Sequence, residues 1–98
     1  MRIENRLTDE AVLAELGERL SRWRLERNAS QADFGREAGV GRRTVQRLEA
    51  GEPVQLQSFV RVLRVLGLLD ALDQLVPASA PSPLERLRRA GRRIARIC

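Results

Sequence analysis

Arg42, Arg43, Gln46 and Arg47 crowd into one short stretch, RRTVQRLEAG, that opens at residue 42. A guanidinium is a planar fork of donors that fits the paired acceptors on a guanine edge or the oxygens of a phosphate. A glutamine amide carries the donor–acceptor pair that fits adenine. Val45 and Leu48 lie three apart, so a helix here turns both to one side. The four polar residues are then left on its outer face or at its exposed N-terminal end. The plainest reading of such a face is solvation. A helix N-terminus with free amides adds a second reading, attraction for phosphate.

A helix over about 42–50 needs a partner to present it. The residues before it read SQADFGREAGVG and predict a second short helix over about 31–38. Ser30 and Asp33 stand in a capping-box spacing, with Asp in place of the preferred Glu. Ala32, Phe34 and Ala38 face inward, Gly39 suits a left-handed turn, and Val40 plugs that turn into the core. Gly41 caps the next helix less well than Ser would, and Gly51 closes it.

Three more helices are expected around this pair. The first starts near Thr8 or Asp9 and runs to about Arg27. Thr8 serves as N-cap, Asp9 and Glu10 sit at the positive end of the helix dipole, and Asn28 is a natural stop. Its apolar face is drawn from Val12, Leu13, Leu16, Leu20, Trp23 and Leu25, which places Trp23 in the core rather than on a nucleic-acid base. Gly17 lowers helix propensity there without breaking the helix. The fourth helix spans about 56–66 with Phe59, Val62, Leu63 and Leu66 as its stripe. The fifth covers about 69–76 and stops at Pro77. Residues 1–7 show no period and are expected to be a mobile arm. Residues 77–83, PASAPSP, read as an extended linker. Residues 84–98 form an Arg-rich tail whose Leu84, Leu87, Ile94 and Ile97 are compatible with one more helix.

The arrangement resembles the phage-repressor-like helix-turn-helix family, the Cro-like or xenobiotic-response-element class, over about residues 14–76. The resemblance rests on the Ser30-Gln31 opening, the Ala38-Gly39-Val40 turn, the Leu48-Glu49 pair and the Leu66-Gly67 step, taken together. Gly41 departs from it, because Ser or Thr is more usual there and brings a phosphate-binding hydroxyl. The resemblance implies that Gln31 holds a phosphate and orients the reader helix. It implies that Arg42 and Arg43 meet base edges or nearby phosphates, that Thr44 donates to a phosphate, and that Gln46 and Arg47 are the next candidates for base contact. It also implies an ion pair between Arg24 and Glu49 bracing the first helix against the third.

Charge and composition bound the rest. The chain has 98 residues, no His and no Lys, so all 18 cations are Arg. Residues 1–76 hold twelve Arg and twelve acids, and the net charge of +5 falls formally on residues 77–98. That balance points toward nucleic acid or another anionic partner. The tail arginines read as a solvated end, as a phosphate-tracking arm, or as a basic amphipathic segment for an acidic protein. A membrane surface fits them less well, because large aromatic anchors are missing. No apolar run reaches the length of a membrane span, and the first residues lack a signal peptide's apolar block. Cys98 is the single cysteine, which predicts a reducing, cytoplasmic setting. The absence of His, of a cysteine cluster and of a phosphate-cradling glycine loop predicts no enzyme, no metal and no cofactor.

The expectation is therefore an all-α, compact five-helix domain over residues 8–76. It would bind a double-stranded DNA operator as a homodimeric repressor, through Gln31, Arg42, Arg43, Thr44, Gln46 and Arg47. A Leu stripe from 63 to 75 is the expected dimer surface. The alternative is an antitoxin whose tail binds a kinase-like toxin protein while the domain represses its own promoter.

Overall fold

The computed structural model describes residues 1–79 and is all-helical over them. Its elements are α1 (Asp9–Glu26), α2 (Gln31–Ala38), α3 (Arg42–Glu49), α4 (Leu56–Leu66), one 3-10 turn (Leu69–Ala71) and α5 (Leu72–Leu75). The proline-rich linker is described only as far as Ser79. The Arg-rich tail, with its candidate helix, lies outside the described residues.

Local chemistry sets the boundaries. Thr8 Oγ1 accepts from the Ala11 amide and Ser30 Oγ from the Asp33 amide, which supplies partners to two helix starts. The capping box at α2 is half made: the Asp33 carboxylate pairs with Arg36 one turn on. Asn28 takes a φ of 56° and its amide donates to the Leu25 carbonyl. A side chain that tolerates the left-handed region thus ends α1 where the sequence predicts a stop.

The core is built from Leu20, Phe34, Ala38, Val45, Leu48, Val62, Leu63 and Leu66. Phe34, Val45 and Val62, one from each of α2, α3 and α4, are the most completely buried. Burying a side chain of this kind contributes about 1.5–3 kcal/mol. Val45 at 0% exposure therefore fixes which side of α3 faces in, and so which side faces out.

Two expectations need correction. Trp23 is not a core residue: it is 44% exposed, and Leu25 is 57% exposed. The line of α1 pressed against the fold is Gly17, Leu20 and Arg24. A glycine and an arginine occupy the places that hydrophobicity assigns to larger apolar residues. At Gly17 an added Cβ would lie 2.5 Å from the Leu48 carbonyl oxygen and 2.6 Å from that of Glu49. The contact is between backbones, and a side chain has no room. The second correction is at residues 69–76, which form no single helix. After Gly67 the Leu68 amide returns to the Leu63 carbonyl and the Ala71 amide to that of Leu68. This tight turn lets Leu68, Leu69 and Leu72 all pack against the core. Pro77 biases the preceding residue toward extended backbone, and Val76 at φ −124°, ψ 79° ends α5 after one turn.

The first residue contacts α1. The Met1 ammonium lies 3.5 Å from Glu15, and Arg19 donates to the Met1 carbonyl. Glu15 also pairs with Arg19.

Candidate nucleic-acid interface

The reader helix is oriented from its inner side. Arg24 of α1 points its guanidinium at the end of α3. Its Nε lies 2.7 Å and its Nη2 3.0 Å from the two carboxylate oxygens of Glu49, a two-point pairing. Nη1 donates to the Ala29 carbonyl at 2.7 Å in the α1–α2 loop. Gln31, in the first turn of α2, donates through Nε2 to the same Glu49 at 3.1 Å. One carboxylate therefore ties together α1, α2 and α3. The hydrogen bonds that Arg24 donates to Glu49 raise its pKa, against the opposing pull of burial. The guanidinium is charged at every working pH. Among the described residues no buried side-chain nitrogen or oxygen lacks a partner.

Backbone packing completes the placement. Gly17 allows α1 to sit directly on the carbonyls of Leu48 and Glu49. Gly51, at φ 78°, lies where an added Cβ would meet the Ala14 backbone at 2.8–2.9 Å. Glu52 then donates its amide to the Arg47 carbonyl at 2.9 Å. The C-terminal end of α3 is thus held at both the side-chain and the main-chain level.

The outer side is different. Arg42, Arg43, Gln46 and Arg47 are exposed and line one open cleft together with Ala50 and Glu52. Among the described residues no ion pair involves Arg42 or Arg43. Arg47 pairs with Glu52 at 3.3 Å. Gly41 caps α3 without a side-chain hydrogen bond, so the amides of its first turn stay open to an anion. Thr44 is half-buried and borders a second recess with Arg47, Pro53, Val54, Gln55 and Ser58.

Four of the six residues expected to contact DNA therefore share one cleft, and Thr44 stands beside it. Gln31 is separate: one of its amide hydrogens is engaged by Glu49, which leaves the second hydrogen for a phosphate. The sequence reading missed Glu52. An acid just beyond Gly51 was visible in the sequence, but nothing in its spacing shows that the turn brings it back beside Arg47.

A family model described as a helix-turn-helix domain matches residues 15–75. No curated protein matches the chain. Among the described residues no helix is long and apolar enough to cross a membrane, and no group of side chains could hold a metal ion. The matched segment contains α2, the turn, α3 and both partners of the Arg24–Glu49 brace, and on that match the chain belongs to the helix-turn-helix domain family of DNA-binding proteins.

Proposed function

We propose that the protein is a sequence-specific transcriptional repressor that reads the major groove with α3 as a homodimer. The observation that carries this reading is the contrast on α3 itself. Among the described residues Arg42 and Arg43 lie exposed without an acidic partner, on a helix whose other side is held by paired groups. A helix of this size fits the major groove, and residues at its N-terminal part reach base edges. Arg42 and Arg43 take base edges or adjoining phosphates, Gln46 and Arg47 read one turn further on, and Thr44 and Gln31 hold flanking phosphates.

Dimerisation is proposed through the apolar groove of Phe59, Leu63, Leu68, Ala71, Leu72 and Leu75. Leu75 is 69% exposed, an arrangement that a second copy would bury. Two such copies place their reader helices in successive major grooves about 34 Å apart. The operator is then a partial palindrome, repression follows from occupying promoter DNA, and the setting is cytoplasmic. The antitoxin alternative rests on the tail and gains no observation from the described residues.

The test is selection of bound DNA from a random pool with the full chain. A recovered palindrome with half-sites one helical turn apart is the expected result. A pool that stays unenriched through successive rounds at moderate salt overturns the reading.

A further inference from the structure

We propose that Glu52 is a positioning residue that turns Arg47 toward a base edge in the groove and withholds it from the phosphate backbone. This rests on the proposed reading of α3 and adds the division of labour within it.

Three observations meet at Glu52. Its carboxylate lies 3.3 Å from Arg47 Nε. Its amide donates to the Arg47 carbonyl at 2.9 Å, so main chain and side chain join the same two residues. Gly51, having no Cβ, lets this turn pack directly on the Ala14 backbone. Glu52 therefore brings an acid into the cleft that Arg42, Arg43, Gln46 and Arg47 line, with its main chain tied to Arg47.

The geometry of the pair matters more than its strength. An exposed ion pair contributes little to stability by itself. The ion contact at Nε leaves the terminal Nη1–Nη2 edge of Arg47 without an acidic partner among the described residues, and that edge presents two parallel donors. Two parallel donors fit the two acceptors of guanine. If Arg47 lay along a phosphate instead, Glu52 would be drawn toward the same negative charge, and repulsion disfavours that pose. In the groove the carboxylate meets no such penalty and can accept from the exocyclic amine of a neighbouring cytosine. The Arg47–Glu52 pair thus favours a G·C step, whereas Arg42 and Arg43, which meet no acid among the described residues, serve phosphate as well as bases.

The experiment compares the wild-type chain, Glu52→Gln and Arg47→Ala by random-pool selection and salt-titrated binding. The exchange of the Arg47 Nε proton with water is followed by NMR on the free protein. Glu52→Gln keeps the turn, since its amide bond to Arg47 is main chain. The expected result is faster Nε exchange, loss of about tenfold in guanine preference at one operator position, and the same position lost in Arg47→Ala. Binding by Glu52→Gln is expected to strengthen on all sequences, with a salt slope steeper by about 0.9 as Arg47 moves to a phosphate. An enriched wild-type motif that Glu52→Gln leaves unchanged overturns the inference alone. A wild-type pool without any enriched motif removes the proposed function and this inference together. Unchanged Nε exchange shows that Glu52 does not hold Arg47 and also overturns it.

Discussion

The two sides of α3 use the same functional group in opposite ways. On the inner side Arg24 is 8% exposed and meets Glu49 at two points and the Ala29 carbonyl at a third. On the outer side Arg42 and Arg43 are exposed and make no ion pair among the described residues. A chain with no Lys and no His asks Arg both to brace the fold and to meet a polyanion. The difference between the two sites is the supply of acids. Among the described residues Glu49 carries the brace, Glu52 pairs with Arg47, and no acid pairs with the first turn of α3. The two roles are separable: stability should reside in the inner face and DNA recognition in the outer one.

The sharpest way to break that separation is to remove the inner acid. Glu49→Ala leaves Arg24 buried and unpaired and also strips Gln31 of its acceptor. A loss of about 3–5 kcal/mol is expected, most of the stability of a small domain. Replacing Arg24 and Glu49 together by Met should recover much of it. Denaturant unfolding of the single and double variants checks this, and an additive double loss would show that the brace is not a unit. Gly17→Ala comes next. Its methyl would meet the Leu48 and Glu49 carbonyl oxygens, so α1 must move off α3, at about 1–3 kcal/mol. The reader helix moves with it, and operator affinity should fall although residue 17 is far from the cleft chemistry.

On the outer side the signs reverse. Arg42→Ala with Arg43→Ala should leave unfolding within about 0.5 kcal/mol of the wild type. Each lost base contact should remove about 1–3 kcal/mol of discrimination. Operator binding against random DNA, measured beside thermal melting, reads both quantities. A variant that melts early but keeps its sequence preference would reverse the assignment of the two faces.

Acidity offers a gentler probe of the fold. The hydrogen bond from Arg19, aided by the Met1 ammonium and opposed by burial, holds the Glu15 carboxyl below its ordinary 4.5. A group whose folded pKa is depressed stabilises the fold above its unfolded pKa and loses that contribution as pH falls through the folded value. Glu15→Gln should therefore flatten the acid limb of stability below about pH 4.5 and leave DNA preference unchanged. Arg24 behaves in the opposite sense. Its raised pKa would be felt only on the alkaline side, above the working range, so the brace brings no pH dependence from its cation.

Much of this was legible in the sequence because caps and turns are local. Thr8, Ser30, Asn28 and Gly51 act within a few residues of themselves, and α2, α3 and α4 fall where period and caps predict them. The Arg24–Glu49 pair followed from the family resemblance, since the two residues are 25 apart. What stayed hidden depends on which face meets which neighbour. Trp23 looked like core because it is large and apolar. The face of α1 is set instead by a glycine that permits backbone contact and an arginine that finds its acid. Glu52 stayed hidden for the same reason, because its place beside Arg47 is made by the turn at Gly51. The 3-10 turn at 69–71 was hidden because consecutive leucines satisfy a helical period and a tight turn alike.

The smallest expected effect touches the boundary between the two faces. Gly41 has an extended backbone, φ −71° and ψ 155°, and nothing lies within 4 Å of an added Cβ. Gly41→Ser is sterically free, and its hydroxyl oxygen can accept from an amide of the first turn of α3. Against glycine a serine cap adds only a few tenths of a kcal/mol, a rise of about 1–3 °C in melting temperature for a domain this size. The hydroxyl hydrogen remains free for a phosphate. Affinity should therefore rise on all sequences with base preference unchanged, because phosphate contacts position and base contacts specify. If instead the preferred motif changes, then residue 41 itself meets bases where a phosphate is proposed, and the reading face begins at the N-cap of α3 rather than at residue 42.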